Sequence, residues 1–196
     1  MITVNCQVSS GADDGNIDTD GTFKNTSNYF PLGKYASVPW LSDKSFARWA
    51  VTVPKGAVIS SAYISLYWDS AYWAPMPTVA IYFDKSANSG AIANESDFDS
   101  RTKTTAVVNW TVTGNSGWNN TADIKNIIQE LVNANGYDGQ YMQAMIVSPY
   151  DCGCRYKSYD AGASYAPKLY IEYASGGVGL IGPGLFQSQL IRGRLL

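Results

Sequence analysis

Oxygen-bearing side chains stand at alternate positions near the start of the chain, and they are of the types that calcium prefers. They are Asn16, Asp18 and Asp20. Gly21 follows them, as in the opening of a calcium loop, where alternate side chains point inward and glycine permits a sharp turn. The closing glutamate is missing because Ser27 stands at its position, although Asp13 and Asp14 could supply further oxygens. Two interpretations remain open: a structural calcium site, or a solvated acidic turn with no cofactor required.

A second group of side chains has the chemistry to bind a saccharide. It comprises the aromatic residues Trp68, Tyr72 and Trp73. Flat aromatic rings stack on the apolar faces of sugars, and Pro75 and Pro77 would hold a loop here rigid. The same residue types are enriched where protein subunits meet. The sequence thus predicts an aromatic loop that serves as a glycan platform, as a subunit contact, or simply as packing at one end of the core.

Catalysis has few candidates. The chain contains no histidine, which removes Ser-His-Asp and Cys-His nucleophilic sites, imidazole metal sites and the commonest general base. Asp97 and Asp99 are the densest carboxylate group outside the acidic turn. A glycosidase needs two carboxyl groups about 5–9 Å apart across a cleft, and nothing in the sequence indicates a cleft. We predict that these aspartates lie in a turn between strands and that the protein is not an enzyme.

The elements that would position these groups are mostly strands. Turn-forming residues recur roughly every 8–12 positions, which is typical of a sandwich or barrel. Apolar alternation predicts strands over residues 2–8, 46–53, 58–68, 79–83, 105–113, 140–148 and 168–173. One apolar stripe at helical spacing predicts a helix within 121–136. We therefore predict an all-β fold: an antiparallel jelly-roll β-sandwich over residues 1–173 with one short accessory helix.

Residues 174–196 have a different composition. After Ser175-Gly176-Gly177, which predicts a hinge, apolar pairs recur every five residues: Leu180-Ile181, Leu185-Phe186, Leu190-Ile191 and Leu195-Leu196. This period fits neither the 3.6 residues of a helix nor the 2.0 of a strand, and disordered segments are usually poor in such residues. We predict an extended C-terminal arm that is buried by another chain.

Several pieces of the sequence occur in an order known from one family. FARWAVTVPKGAVISSAYISLYW precedes VVNW and DIKNIIQELVNANGY, and RYKSYD and APKLYIEY follow near the end. In this order the chain resembles the DNRLRE-type jelly-roll domain of bacterial surface and phage structural proteins, which is related to carbohydrate-binding modules. The resemblance covers about four-fifths of the chain and excludes the arm. It implies a jelly-roll and says little about function, because one fold hosts many functions.

Composition narrows the partners and the compartment. The net charge is −2 with no basic patch before the last five residues, so nucleic acid is not expected as a partner. No apolar run approaches the ~20 residues of a membrane span, and the N-terminus lacks the basic and apolar regions of a signal peptide. The three cysteines, Cys6, Cys152 and Cys154, are an odd number and are predicted to be free thiols.

These observations favour a non-enzymatic virion structural protein that is synthesised in the host cytoplasm. The specific forms are a phage capsid decoration (auxiliary) protein and a tail- or fibre-associated protein. The arm would anchor it to capsid or tail proteins of the same particle, or to its own homo-oligomer. The alternative is a carbohydrate-binding module or adhesin domain that recognises cell-surface glycans of a host.

Overall fold

The computed structural model describes residues 1–33, 42–73, 76–148 and 153–174, without the side chains of Ser42, Tyr72 and Trp73. This part of the chain forms twelve strands and two α-helices. The strands are β1 (Ile2–Gln7), β2 (Asp14–Asp18), β3 (Phe23–Lys24), β4 (Tyr29–Leu32), β5 (Ser42–Val53), β6 (Val58–Trp73), β7 (Thr78–Phe83), β8 (Val108–Thr111), β9 (Trp118–Asn120), β10 (Tyr137–Val147), β11 (Gly153–Lys157) and β12 (Lys168–Ala174). The helices are α1 (Glu95–Ser100) and α2 (Lys125–Ala134).

The strands make two antiparallel six-stranded sheets. The first has the order β1-β12-β6-β11-β4, with β9 also paired to β6, and the second has the order β3-β2-β5-β10-β7-β8. Successive strands cross repeatedly from one sheet to the other, as between β4 and β5, β5 and β6, and β6 and β7. This connectivity is typical of jelly-roll sandwiches. The predicted all-β antiparallel sandwich is confirmed.

Side-chain alternation places the core between the sheets. On β6, Ala62, Ile64 and Leu66 are each at most 1% exposed, as their period of two predicts. On β5, Trp49 faces the same core, and its Nε1 donates a hydrogen bond to the Pro167 carbonyl at 2.9 Å. Phe46 points to the opposite face of β5 and is also buried, in a smaller cluster that includes Phe98 of α1. Both faces of the second sheet therefore carry buried side chains.

The structure has one helix more than predicted. The predicted apolar stripe lies on α2, where Ile127, Ile128, Leu131 and Val132 are buried. Asp97 and Asp99, which we expected in a turn, lie on α1 instead. Asn94 caps this helix by accepting a hydrogen bond from the Asp97 N–H at 2.9 Å. An asparagine cap followed by acidic residues in the first turn favours a helix over a turn.

Strand β12 includes Ala174, which the sequence placed at the start of the arm. Residues 175–196 lie outside the described residues, and so do all eight apolar residues predicted for assembly. The arm therefore stays a prediction. Within the described part, no helix is long and apolar enough to cross a membrane.

Candidate functional site

Aromatic side chains cover the outer face of the first sheet. We call the set of Tyr63, Tyr67, Trp118, Tyr165 and Tyr170 the aromatic face. Tyr63 and Tyr170 are directly opposed on β6 and β12, and their rings stack with centroids 4.6 Å apart and planes 11° apart. On β6, Tyr63 and Tyr67 alternate with the buried positions Ala62, Ile64 and Leu66, so both point outward.

The other three rings meet at one end of this face. Tyr67 lies opposite Trp118 of β9, and the two rings pack edge to face at 5.4 Å. On its other side Tyr67 contacts Tyr165 at 4.7 Å. Trp118 is 38% exposed. An exposed tryptophan within a group of tyrosines can be reached by a flat, partly apolar ligand.

Local structure explains how Trp118 and Tyr165 reach the face. Gly117, with a φ of 87°, permits the tight turn before β9. Asn119 closes that turn, because its amide donates to the carbonyls of Asn115 and Gly117 at 2.6 and 3.0 Å. Tyr165 sits at the end of a short 3-10 turn, Ala163–Tyr165. Gln7 of β1 fixes this turn by donating to the carbonyls of Ala163 and Ala166 at 2.8 and 3.0 Å.

A polar row separates the two groups of rings. Pairing between strands aligns Gln7, Lys168, Ser65 and Asn120 across the sheet. The outward row on one side contains Asn5, Tyr170 and Tyr63. The outward row on the other side contains Tyr67 and Trp118. Successive outward rows lie about 6.7 Å apart, so the smaller side chains of the polar row leave a trough between aromatic walls.

The trough contains a cavity of about 200 Å³. Its lining combines aromatic rings, two asparagine amides, a serine hydroxyl and one ammonium group: Asn5, Tyr63, Ser65, Trp118, Asn120, Lys168 and Tyr170. The Lys168 Nζ lies 3.9 Å from the centroid of the Trp118 ring, which is a cation–π contact. Amides and hydroxyls both donate and accept hydrogen bonds, so the cavity can bind hydroxyl groups while its walls contact apolar surface.

The groups that line this cavity can hold a ligand through hydrogen bonds and apolar contacts. A glycosidase requires two carboxyl groups on either side of the bond that breaks, and the described lining contains none. Asp97 and Asp99 cannot serve, because they form ion pairs elsewhere, with Arg101 at 3.0 Å and with Lys44 at 2.8 Å. The Arg101 hydrogen bonds hold the pKa of Asp97 below its usual value, the opposite of what a general acid needs.

Of the predicted glycan platform, Trp68 lies apart from the aromatic face. Trp68, Tyr72 and Trp73 belong to β6, so the prediction of a loop at these residues is wrong. Antiparallel pairing with β11 extends the strand as far as Trp73. Trp68 is half-buried, packs against the core and contacts the buried Tyr156 ring at 5.3 Å. The side chains of Tyr72 and Trp73 lie outside the described part of the chain.

The predicted calcium ligands form a hydrogen-bonded turn. Asn16 Nδ2 donates to Asp18 at 2.7 Å, and the Lys24 ammonium forms an ion pair with the same carboxylate. Asp20 accepts a hydrogen bond from the Thr22 N–H at 2.9 Å. The Lys24 ammonium already supplies positive charge at Asp18, whereas Asn16 Oδ1 is buried without a hydrogen-bond partner. The calcium site stays a prediction. Among the described residues, no group of three or more His, Cys, Asp or Glu side chains could hold a metal.

A buried carboxyl group, Asp14, lies near this turn. Asp14 is 1% exposed; one of its oxygens accepts a hydrogen bond from the Tyr159 N–H at 2.9 Å, and the other has no partner. The pKa of Asp14 is raised to about 7, chiefly by burial and also by the charges of Asp160 and Asp13, although the Tyr159 hydrogen bond lowers it. Asp14 is therefore a proton-binding group of the folded state.

Cysteine chemistry adds no site in the described residues, where Cys6 is half-buried and Cys154 is buried; Cys152 lies outside them. Comparison with known proteins adds no assignment either. No protein-family model matches the chain, and no curated protein is significantly similar to it. The resemblance to DNRLRE-type domains thus remains an expectation from the sequence.

Proposed function

We propose that this protein is a non-enzymatic glycan-binding domain, with the aromatic face as its binding surface. The observation that carries the proposal is the trough on the first sheet, where exposed and half-exposed rings stand beside amide and hydroxyl groups. Saccharides present apolar faces and polar edges, and this trough offers a matching partner to each. The expected resemblance to carbohydrate-binding modules agrees with this role. Trp68 is not part of the proposed site.

The binding geometry follows from the rows of the sheet. A sugar ring in the trough would place its C–H face on Trp118 and its hydroxyl groups near Asn5, Asn120 and Ser65. Lys168 covers one face of Trp118, so we expect its side chain to move aside when a ligand stacks on that face. The rings are already packed against each other, and little side-chain freedom is lost on binding.

A glycan array probed with the full chain tests the proposal. We expect selective binding to a small set of glycans, and a dissociation constant of about 0.1–1 mM for the tightest soluble oligosaccharide, because one small cavity supports only modest affinity. Isothermal titration calorimetry measures that constant. Uniform absence of binding, on the array and to insoluble polysaccharides, would rule out the proposed function.

A second proposed role is structural, as a component of a virus particle. We infer that the arm anchors the domain to capsid or tail proteins, or to other copies of the chain, while the sandwich is displayed. The repeated apolar pairs of residues 180–196 support this role, because such a segment is stable only when another surface covers it. Glycan binding by a displayed domain is compatible with this structural role, since a particle that binds surface glycans attaches to its host.

Molar mass in solution tests the structural role. We expect light scattering to show an oligomer for the full chain and a monomer for a version that ends at Ala174, because the apolar pairs are then absent. Residues 1–174 contain both sheets and the whole described core, so the shorter version retains its fold. Equal monomeric masses for the two versions would reject assembly through the arm.

A further inference from the structure

The first sheet ends at strand β1, which pairs with β12 on one side only. An edge strand presents unpaired main-chain N–H and C=O groups, and natural sheets protect such edges with short strands, charged residues, proline or bulges. Strand β1 has none of these protections. Its six residues, ITVNCQ, include no charge and no proline, and its pairing with β12 has no register shift.

The other edge strands of the described part of the chain are better protected. In the second sheet, β3 has only two residues, one of which is Lys24, and β8 has only four. At the far side of the first sheet, β4 has four residues and contains Pro31, which has no N–H for a further strand. Strand β1 is therefore the longest and least protected edge that the described residues present.

The hydrogen bonds next to β1 show which of its main-chain groups face outward from the sheet edge. Just beyond the strand, the Val8 N–H donates to the Pro167 carbonyl at 2.9 Å, in the same register as the pairing of β1 with β12. Antiparallel partners bond at every second residue, so the even-numbered residues of β1 bond to β12. The odd-numbered residues turn their N–H and C=O groups to the open side, where no described residue bonds to them: Thr3, Asn5 and Gln7.

A second copy of β1 can pair with all of these groups. When two copies lie antiparallel with Asn5 opposite Asn5 on a two-fold axis, Thr3 of each copy lies opposite Gln7 of the other. Three hydrogen-bonded pairs then form roughly six hydrogen bonds, and no like charges meet because β1 has none. The other nearby symmetric register, about Val4, would place Gln7 opposite Met1, which lies outside the strand.

We propose that two copies of this protein associate through their β1 edges, with Asn5 on the two-fold axis. The two first sheets then become one continuous sheet, and the outward row of Asn5, Tyr170 and Tyr63 continues into the same row of the second copy. Asn5 also lines the cavity of the trough, so the two troughs lie on either side of the axis. The contact does not depend on the proposed glycan function, but its consequence does: one extended saccharide can occupy both troughs.

The contact is small, so we expect it to be weak. Stable protein–protein interfaces bury about 1,200–2,000 Å², and one pair of six-residue strands buries less. We expect a dissociation constant of about 1 mM, so the sandwich alone remains a monomer at the micromolar concentrations of light scattering. Copies held close together on one particle, or along one polysaccharide, reach millimolar effective concentrations, and the β1 edges then pair.

Register-specific disulfide trapping in the full chain tests the contact. In a Cys6→Ser background, Asn5→Cys places two thiols opposite each other on the axis, with Cα atoms about 5.5 Å apart, which suits a disulfide. Thr3→Cys is the matched control, because it lies on the same edge but its two copies would be about 13 Å apart along the paired strands. Under mild oxidation we expect Asn5→Cys to form a covalent dimer at least about tenfold faster. Intact mass measures the rates, and peptide mapping assigns the bond.

The two cysteine variants separate a paired edge from other kinds of association. Random collision, or contact through the arm, does not distinguish residue 5 from residue 3, so equal rates would reject the β1 contact, and so would a faster Thr3→Cys dimer. Equal thermal unfolding temperatures of the reduced variants exclude a difference in folding as the cause. No glycan is present in the test, so the β1 contact can fail while glycan binding stands, and the reverse also holds.

Discussion

Replacement of Trp118 by alanine is expected to weaken glycan binding by about 30-fold or more. Trp118 is the most exposed ring of the cavity lining, and it is the wall on which a sugar can stack. Removal of a central tryptophan from a binding site commonly costs about 2 kcal/mol, which corresponds to this factor. Isothermal titration calorimetry with the tightest ligand from the array measures the change.

Tyr29→Ala is the matched control for this prediction. Tyr29 lies on β4, at the edge of the same sheet, and is also 38% exposed. It too has a cation above its ring, because the Arg155 guanidinium lies 3.8 Å from the ring centroid. Exposure and cation contact are thus alike, and only membership of the aromatic face differs. Equal losses of affinity in both variants would mean that the aromatic face is not the site.

Asp14→Asn is expected to stabilise the protein above pH 7. The folded-state pKa of Asp14 is raised to about 7 from 3.8, so the folded protein holds a proton that the unfolded chain has released. Stability from this group is complete below about pH 4 and is lost as the pH rises to about 7. The stability lost through ionisation of Asp14 is at most about 4 kcal/mol at alkaline pH. Asparagine keeps an acceptor for the Tyr159 N–H and removes the buried charge.

Urea unfolding at pH 4.5, 6 and 8 measures this effect. The chain has no histidine, so no imidazole titrates in this pH range. Burial also raises the pKa of Asp18, which adds to the pH dependence of stability in both proteins. We expect the wild type to lose stability across the window and the variant to lose much less. Asp138→Asn, at an exposed position of β10, is the control. Parallel pH profiles for wild type and Asp14→Asn would show that Asp14 is ionised at little cost.

Much of the fold was predictable because it depends on local pattern. Alternation on β6 buries Ala62, Ile64 and Leu66, and the helical stripe of α2 packs on the core. The same alternation carries a signal for the site, since Tyr63 and Tyr67 are the outward residues of that strand. Helix α1 was missed because its six residues are too few for a clear period, and the Asn94 cap was the available signal.

The binding site depends on contacts between distant segments. Trp118 joins the aromatic face because β9 pairs with β6, and Tyr165 joins it because Gln7, far away in sequence, fixes its turn. Trp68 looked equally suited to bind a sugar, but it continues the inward row of Ala62, Ile64 and Leu66 and contacts Tyr156 at the core. Residue type alone does not distinguish an outward ring from an inward one.

The acidic turn also combines a feature that the sequence shows with one that strand pairing decides. Alternate oxygens at Asn16, Asp18 and Asp20 were visible in the sequence, but the partner of Asp18 was not. Lys24 reaches it because β2 and β3 pair directly, with Asn16 opposite Lys24. Likewise, Asp14 has its raised pKa because strand β2 buries it beside Tyr159 and Asp160, which lie near the other end of the chain.

The sequence by itself determined the strand periodicity, the all-β class, the lack of histidine chemistry and the apolar pairs of the arm. These properties follow from side-chain type and from spacing over a few residues, which backbone geometry converts directly into faces. The tertiary structure decided which aromatic rings share a surface, which carboxylates meet a cation and which lie buried. Each of these depends on strand register between segments that are far apart in sequence, and a shift of one residue in register would turn every side chain of a strand to the other face.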